Sequence, residues 1–451
     1  MDEIIFLNCH IVYEYMEKFI ILPHQLFDIS NLSVEYHYIL WEHPHYFTKY
    51  KYNKKKLMLH RASMKYYEQY LIQHNFKVSY CEFMNTPRYK KAKIFDPVDK
   101  INIPNLSQIV ETPGFLLSKE YYSEYKKVKK DKFMFHWFYM WGKKKINIIP
   151  LVKSQDKKNR KKLPKDIIIP RIPSNVRDQK YINEAKQYVD KHFKNNYGNT
   201  DNFLFPVTHK TANKWFENFI KKRFYNFGPY QDAIDKENDF LFHSYMSSSM
   251  NCGLITPMQA ISRVRKEKNR IPLNSYEGYI RQLFWREYQR YCYIYFDFTG
   301  KNYFGNRKKL GKEWYTGTIG CEPVDTCIKN AFNNGYLNHI QRLMIMGNYM
   351  NLKGINPWEG LRWFIEFSCD SYEWVMYQNV LDMAFCVSGG RTGGGTMQKP
   401  YISSSNYILK MSNYKKGKWC NEWDKLYHAF LKKHNKKLQP FRYYYRSVKK
   451  V

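Results

Sequence analysis

A hydroxyl-rich segment at residues 241–257 could bind a phosphate group. It reads Leu-Phe-His-Ser-Tyr-Met-Ser-Ser-Ser-Met-Asn-Cys-Gly-Leu-Ile-Thr-Pro, with small hydroxyl side chains among apolar residues. Hydroxyls and free backbone amides at the start of a helix can hold a phosphate. The same residues also fit a serine-rich turn that caps a helix. The segment therefore predicts the start of a helix and leaves both interpretations open.

A second segment, residues 277–290, places polar side chains at helical spacing. Gln282, Arg286 and Arg290 recur every four residues and are predicted to share one helix face, whereas Trp285 and Glu287 point to other faces. This pattern fits a helix that presents a polar face to a ligand. It fits an amphipathic helix of the core equally well.

The common metal and hydrolase signatures are missing from the sequence. His43-Pro-His45 has no second cluster at ligand spacing, and the nine cysteines include no Cys-x-x-Cys pair. No Gly-x-Ser-x-Gly or His-Glu-x-x-His motif is present. The glycine-rich run 389–395 is not a Walker loop, and it is either a surface loop or a backbone nest that touches a cofactor. We expect no bound metal.

The composition favours a nucleic-acid partner. The net charge is +34, from 74 Lys and Arg against 40 Asp and Glu, and aromatic residues make up 18% of the chain. Basic chains bind nucleic acids by neutralising phosphates, although anionic membranes and acidic proteins also attract them. An AT-rich coding sequence would raise the Lys content without selection for binding, so the net charge is weaker evidence for a nucleic-acid partner. With no long apolar span and no signal peptide, we expect a soluble, intracellular monomer.

The pattern of apolar runs predicts two kinds of structure. Short apolar runs at 19–22, 34–40 and 77–80 flank a longer segment at 54–71, which indicates strand, strand, helix, strand. From residue 181 onward the runs lengthen, and helices are expected over 211–224, 277–295, 338–352 and 358–367. The fold class predicted is an N-terminal α/β domain with a parallel sheet, followed by an all-α domain.

The boundary between the two domains is expected within a stretch rich in lysine and proline. Lys and Arg cluster at 143–145 and 157–162, and prolines occur at 150, 164, 170 and 173. We assign residues 1–150 to the α/β domain, 151–180 to a basic linker and 181–451 to the helical domain.

Nearly the whole chain resembles the photolyase and cryptochrome family in the order of its motifs. The closest similarity is to the bacterial branch of iron–sulfur cryptochromes and photolyases, also called prokaryotic (6-4) photolyases. The matching segments are 21–26, 55–64, 227–234, 241–257, 281–287, 339–348 and 399–412. The resemblance implies an all-helical FAD-binding domain, and an N-terminal domain that could hold an antenna chromophore of unknown identity.

The resemblance also assigns site residues. It implies contacts to the FAD phosphates from Ser244, Met246 and Ser247. Around the cofactor it implies Tyr230, Gln282, Arg290 and Arg342. Near the isoalloxazine it implies Asp370 and Asn379. Glu287 would face a DNA lesion, Trp285 would wall its pocket, and Tyr401 and Tyr407 would contact the lesion region.

The lesion type depends on the pair Asn338-His339. In the family, cyclobutane-dimer enzymes carry Asn at the second position, whereas (6-4) enzymes use His there to move a proton. His339 therefore favours (6-4) repair, because imidazole exchanges a proton near its ordinary pKa of about 6.5. The first position is usually His in the bacterial branch and is Asn338 here.

Two further features depart from the family pattern. Where the branch carries cluster cysteines, this chain has Lys415 and Lys418, and the upstream ligand falls near Pro323 with Cys321 and Cys327 close by. Because an iron–sulfur cluster of this kind needs four thiolates, we expect none. The electron-transfer positions fall on Trp363, Phe364 and the pair Trp314-Tyr315, which could also be core aromatics.

These inferences predict a light-driven photolyase that repairs UV-damaged DNA, most consistent with (6-4) photoproducts, by electron transfer from excited reduced FAD. The alternatives are a cyclobutane-dimer photolyase or a cryptochrome-type blue-light photoreceptor. A non-catalytic nucleic-acid-binding protein without flavin is the alternative from another class.

Overall fold

The computed structural model describes residues 16–129, 133–147, 154–174 and 178–445. The first 15 residues, with Cys9 and His10, lie outside the described residues, as do parts of the predicted linker.

A five-stranded parallel sheet forms the N-terminal part. Its order is β3-β2-β1-β4-β5, and every neighbouring pair is parallel. The central strands are short and apolar and are buried, as expected where helices and loops cover a parallel sheet. The strands are β1 Lys18–Ile21, β2 His37–Trp41, β3 Lys77–Cys81, β4 Ala92–Phe95 and β5 Leu106–Val110.

The remaining described residues are mostly helical. The helices of six or more residues are α1 Lys54–Gln73, α2 Lys119–Lys129, α3 Phe135–Ile146, α4 Gln179–His192, α5 His209–Lys222, α6 Phe224–Tyr230, α7 Ser247–Cys252, α8 Pro257–Arg265, α9 Leu273–Tyr295, α10 Glu322–Asn334, α11 Asn348–Lys353, α12 Pro357–Phe367, α13 Ser405–Met411 and α14 Lys418–Lys433. Two π-helical segments, Gln341–Gly347 and Tyr377–Ala384, lie among them.

The predicted fold class is confirmed. The strand, strand, helix, strand order corresponds to β1, β2, α1 and β3, and α1 begins at the Asn53 cap, whose side chain accepts from the Lys55 amide at 2.9 Å. The helix expected over 338–352 is interrupted by a π turn, and the helix expected over 211–224 ends at Lys222. The last two strands, β4 and β5, were not predicted.

Several buried side chains join the sheet region to the helical region. Arg61 on α1 reaches α4, where its Nη2 donates to Oε1 of Glu184 at 2.6 Å. Lys56, also on α1, is buried and donates to the backbone carbonyl of Ser371. The two regions therefore share a continuous core.

Helix α9 crosses the helical part and packs closely against α6. A Cβ atom at Gly228 would lie 2.7 Å from the backbone of Asn274, so glycine is required for this approach. Part of the predicted linker also lies on α9, because the Gln155 amide donates to Oε2 of Glu277 at 3.0 Å. No helix in the described part of the chain combines the length and apolarity needed to span a bilayer.

Candidate functional site

A cavity of about 270 Å³ opens in the helical part of the chain. Its wall is formed by the residues that follow α6, by the hydroxyl-rich segment before α7, by α9 and by both π-helical segments. Rings and aliphatic side chains such as Phe227, Tyr279, Leu343, Phe364 and Val380 make much of the wall apolar. Concave, mostly apolar sites with a few polar groups are typical of cofactor binding.

Asp370 organises the polar side of the cavity. Its Oδ1 lies 3.0 Å from Nη1 of Arg342, and its Oδ2 accepts from the Ser247 hydroxyl at 2.7 Å. Burial alone would raise the pKa of Asp370, but the charge of Arg342 and the hydroxyls of Ser368 and Ser247 outweigh it and lower the pKa. The carboxylate is therefore ionised and paired.

His339 lies on the same cavity wall. Surrounding protein atoms lower its pKa below the ordinary value, and the positive charge of Arg342 acts in the same direction. The side chain is nevertheless exposed to the cavity, so water there screens part of this effect. The lowered pKa favours the neutral form of the His339 imidazole near pH 7.

Asn338 does not line the cavity. It is buried, its Oδ1 accepts from the Gln341 amide at 3.0 Å, and the Gln341 side chain accepts from the Asn338 amide at 3.0 Å. This reciprocal pair caps the helix that carries His339 and Arg342. The departure from the family pattern therefore has a local structural role, because it fixes the start of that helix.

The structure brings most of the predicted cofactor residues together. Those on the cavity wall are Ser244, Met246, Ser247, Gln282, Arg342, Asp370 and Asn379. The hydroxyl-rich segment includes the start of α7 at Ser247, as predicted, and no side chain caps that helix. The hydroxyls of Ser244 and Ser247 line the cavity, and that of Ser247 donates to Asp370.

Arg290 and Tyr230 are not on the cavity wall. Arg290 is fully buried, and its Nη2 lies 2.7 Å from both Oδ2 of Asp96 and Oε1 of Glu111. It shares a face of α9 with Gln282, but eight residues of helix separate the two levels by about 12 Å. Tyr230 packs beside Phe242, with ring centroids 5.7 Å apart.

Glu287 and Trp285 also lie away from the cavity. The Oε2 atom of Glu287 accepts from the Tyr122 hydroxyl at 2.9 Å and from the Leu117 amide at 3.1 Å, within the contact between α9 and the N-terminal region. The Trp285 ring stacks on the Phe135 ring of α3, with ring centroids 3.8 Å apart. Both placements follow from the packing of α2 and α3 against α9, so the implied lesion-facing roles do not fit this geometry.

The cavity residues missed from the sequence include Gln231, Asp232 and His243. Burial, and then the charge of Asp156, raise the pKa of Asp232 to about 7. Tyr401 and Tyr407 are not on the cavity wall; burial raises the pKa of both phenols, and the nearby charge of Asp232 adds to this. The segment 227–234 is one of those that resemble the family, and it indicated this region, although the site residue predicted from it was Tyr230.

A series of aromatic rings leads away from the cavity. Phe364 lines the cavity and lies 5.1 Å from Trp363, whose indole Nε1 donates to the backbone carbonyl of Trp314 at 2.7 Å. Phe332 lies between Trp363 and Tyr315, with ring centroids 5.8 Å and 5.7 Å away. The Trp314 ring faces Tyr349 instead, at 6.2 Å. The predicted electron-transfer residues are thus adjacent, with Tyr315 at the outer end.

The region expected to have lost cluster ligands contains lysines at the surface and cysteines in the core. Lys415 and Lys418 are exposed, whereas Cys321, Cys327 and Cys420 are buried. In the described part of the chain no group of three or more His, Cys, Asp or Glu residues is arranged to hold a metal ion. The glycine-rich run 389–395 includes a short 3-10 helix, Gly390–Gly393, and its residues are not on the cavity wall.

Comparison with known proteins identifies the family. Residues 19–101 and 92–205 match the family model described as deoxyribodipyrimidine photo-lyase-related protein. A (6-4) photolyase of Agrobacterium fabrum is 36% identical over 264 residues, which cover 57% of this chain and 51% of that protein. The chain belongs to the photolyase and cryptochrome family. It spans about half the length of this curated photolyase.

Solved structures of photolyases and cryptochromes share the fold of this chain. A Synechocystis cryptochrome is similar with a TM-score of 0.58 and 13% identity, over 94% of this chain and 89% of its own. A photolyase from Sulfolobus tokodaii, described with two FAD molecules, has a TM-score of 0.52 and 12% identity, over 84% of both chains.

The cavity of this photolyase-family chain has the chemistry that a flavin nucleotide requires. Apolar walls suit a ring system, and Ser244 and Arg342 can donate hydrogen bonds to phosphate or ring oxygens. Among the described residues, Oδ1 of Asn379 and the hydroxyl of Tyr245 are buried at this wall without a hydrogen-bond partner. Buried polar atoms are normally partnered, so a ligand that pairs with them fits the site.

Proposed function

We propose that this protein is a light-driven DNA photolyase that binds FAD and repairs UV-damaged DNA, with (6-4) photoproducts as the favoured lesion. The observation that carries the proposal is the position of His339 on the same cavity wall as Ser247, Arg342, Asp370 and Asn379. Proton chemistry and cofactor binding are thereby possible in one place. The identity to the Agrobacterium (6-4) photolyase supports the same lesion.

Different side chains of the cavity would contact different parts of FAD. Ser244, Met246 and Ser247 would hold the phosphate side, and Gln282 and Arg342 would contact the cofactor between its two ends. Asp370 and Asn379 would lie near the isoalloxazine, where the Asn379 oxygen is available as an acceptor. Bound in reduced form and excited by blue light, FAD would supply the electron for repair of the lesion. The apolar wall would exclude water from this site.

His339 and Asp232 are the proton-exchanging side chains of the proposed mechanism. Because the imidazole of His339 is neutral at pH 7, it can accept a proton before it donates one. Asp232 has a pKa of about 7, so a large fraction of its carboxyl groups carries a proton near neutral pH. We propose that Asp232 supplies protons to the cavity and that His339 moves a proton at the lesion.

The remaining cofactor and partner assignments are also proposals. DNA would be attracted by the net charge of +34 and would present a flipped-out lesion to the cavity. No iron–sulfur cluster is proposed, because Lys415 and Lys418 are exposed where the related branch carries ligands. Metal analysis that finds about four irons per flavin would contradict this part.

The decisive experiment is a repair assay on defined lesions. Purified protein is loaded with FAD, reduced, and mixed with oligonucleotides that carry one (6-4) photoproduct or one cyclobutane dimer, in blue light and in the dark. We expect light-dependent repair of the (6-4) lesion. Repair of only the cyclobutane dimer would change the lesion assignment, and flavin binding without repair would indicate a photoreceptor. A protein that binds DNA without flavin would reject the proposal altogether.

A further inference from the structure

The outer end of the ring series carries a carboxylate that the proposed function does not use. The hydroxyl of Tyr315 donates to Oε2 of Glu366 at 3.0 Å. The other oxygen, Oε1, lies 3.9 Å from Nε of Arg362 on the same helix. Only 6% of the Glu366 side chain is exposed, so this hydrogen bond lies inside the protein. Tyr315 therefore faces a proton acceptor that solvent hardly reaches.

We propose that Glu366 accepts the phenolic proton of Tyr315 when light drives an electron from that ring towards the cavity. This inference rests on the proposed flavin chemistry, because the oxidant is oxidised, light-excited flavin in the cavity. The O–H bond of Tyr315 breaks and an O–H bond forms on Oε2 of Glu366. Tyr315 loses one electron and becomes a neutral phenoxyl radical, and the flavin gains that electron.

The contacts between Tyr315 and the cavity supply a route for the electron. Phe332 fills the space between the Tyr315 and Trp363 rings. The Trp363 indole is also hydrogen-bonded to the carbonyl of Trp314, whose peptide bond leads directly into Tyr315. Trp363 in turn contacts Phe364 at the cavity wall. Tyr315 is thus connected to the cavity both through ring contacts and through one hydrogen bond.

Oxidation of Tyr315 requires that its proton leave. Burial raises the pKa of this phenol, and the nearby carboxylate of Glu366 raises it further, so the ground-state ring is protonated. An oxidised phenol is a strong acid, and a positive charge on a buried ring would be costly. Transfer of the proton across the existing hydrogen bond to Glu366 avoids that charge.

The neighbouring ring is a less suitable site for the radical. Tyr197 stacks on Tyr315, with centroids 4.4 Å apart and planes 19° apart. The ammonium group of Lys51 lies 4.7 Å from the Tyr197 ring centroid. This positive charge opposes oxidation of Tyr197, so the radical should stay on Tyr315.

The charge state of Glu366 sets the pH range in which it can act. Burial raises the pKa of Glu366 to about 7, and the negative charge of Glu359 adds to this increase. The hydrogen bond from Tyr315, the charge of Arg362 and a hydrogen bond from the Lys51 backbone lower the pKa and offset part of it. Below this pKa the carboxyl is protonated and cannot accept. The yield of Tyr315 radical should therefore increase as the pH rises through about 7.

The test uses flavin-free protein, so that it does not depend on FAD binding. A ruthenium polypyridyl complex with a quencher supplies the oxidising flash, and transient absorption and electron paramagnetic resonance detect the tyrosyl radical. Wild-type protein should form the radical, more slowly in deuterated water. Glu366→Gln keeps the size and a hydrogen-bond acceptor but accepts no proton, so radical formation should fall about a hundredfold and lose its pH dependence.

Three matched variants complete the test. Tyr315→Phe should remove the part of the tyrosyl signal that depends on pH near 7, whereas Tyr197→Phe should retain it; exposed tyrosines such as Tyr225 and Tyr443 give a background in every variant. Glu359→Gln changes a carboxylate on the same helix that contacts Arg362 at 2.9 Å; it should retain radical formation and its pH dependence, with the midpoint slightly lower because Glu359 adds to the raised pKa of Glu366. The inference is overturned if Glu366→Gln keeps the wild-type rate and pH profile, or if the pH-dependent part of the radical signal survives in Tyr315→Phe. Failure of FAD binding would contradict only the proposed function.

Discussion

Nη1 of Arg342 lies 3.0 Å from Oδ1 of Asp370, and this pair joins two segments of the cavity wall. Arg342 belongs to the first π-helical segment, and Asp370 follows α12. Nη2 of Arg342 also donates to the Ser368 hydroxyl at 3.1 Å. The pair therefore fixes the polar side of the cavity before any ligand binds.

Asp370→Asn should weaken FAD binding. Arg342 would lose its ionic partner and would no longer be held in place, and hydrogen bonds to charged groups are worth about 1.5–3 kcal/mol. We expect FAD to bind roughly 10 to 100 times more weakly. Flavin fluorescence titration measures the affinity, with Asp201→Asn as a control because that carboxylate pairs with Lys186 at an exposed site. An unchanged affinity for FAD would show that Asp370 does not contribute to the proposed cofactor site.

His339→Ala should retain FAD and DNA binding while losing (6-4) repair. Loss of general acid–base catalysis typically reduces rates by about 10² to 10⁴. His339→Asn should behave in the same way, because an amide cannot exchange a proton. The measurement is the initial rate of repair at equal flavin content, with His136→Asn on α3 as control. A near-wild-type rate in either His339 variant would require the lesion assignment to be abandoned.

Asp232→Asn should change the pH dependence of stability. The folded-state pKa of about 7 lies above that of an unfolded carboxyl, so the folded state holds the extra proton and loses stability as pH rises from about 4 to 7. The variant should equal the wild type at low pH and be more stable by roughly 1 to 3 kcal/mol at pH 8. Urea unfolding at the two pH values measures this. The same pH profile in both proteins would contradict the raised pKa.

Arg290→Met should destabilise the protein without lowering its affinity for FAD. The arginine is fully buried between Asp96 and Glu111, and removing one partner of such a pair costs about 3–5 kcal/mol. Lys119→Met is the matched control, because Lys119 contacts the same Asp96 at 2.9 Å from an exposed position and should cost less than about 1 kcal/mol. Selective loss of FAD binding in Arg290→Met would indicate that Arg290 contributes to the cofactor site after all.

DNA binding should be strongly dependent on salt. Each neutralised phosphate contributes roughly 0.9 to the slope of log affinity against log salt, and six to ten contacts weaken binding by about 10³ to 10⁵ between 50 and 200 mM salt. Fluorescence anisotropy with a labelled duplex gives the slope. A flat response would indicate that the positive charge lies away from the DNA.

The local patterns of the sequence were sufficient to predict the main elements. Runs of four apolar residues gave β1, and the longer periodic segments gave α1, α9 and α12. The edge strand β5 was missed because its residues are mostly exposed and it has no apolar run. The π turn at 341–347 was also missed, since a change of backbone hydrogen-bond register leaves no mark in the spacing of apolar residues.

The site was predictable only in part. The family motifs located Ser247, Arg342, Asp370 and His339, which the structure places on one wall. Spacing on α9 correctly placed Gln282 and Arg290 on one face. It could not show which other parts of the protein each side chain contacts along the length of the helix. Arg290 meets Asp96 from the sheet region, a contact between residues 194 positions apart. Asp232 was missed because its raised pKa depends on burial and then on Asp156, both set by residues distant in sequence.

The contacts of Arg61, Lys56 and Arg290 have a consequence for how the protein can be divided. Each of these cations starts on one side of the sequence-based boundary near residue 150 and reaches an acceptor on the other. A cut there would remove the acceptors of Lys56 and Arg290 and expose the core that the two regions share, whereas Arg61 would lose Glu184 but keep Glu42 and Glu82. Neither half should fold as a stable fragment, and the intact chain should melt in a single cooperative transition.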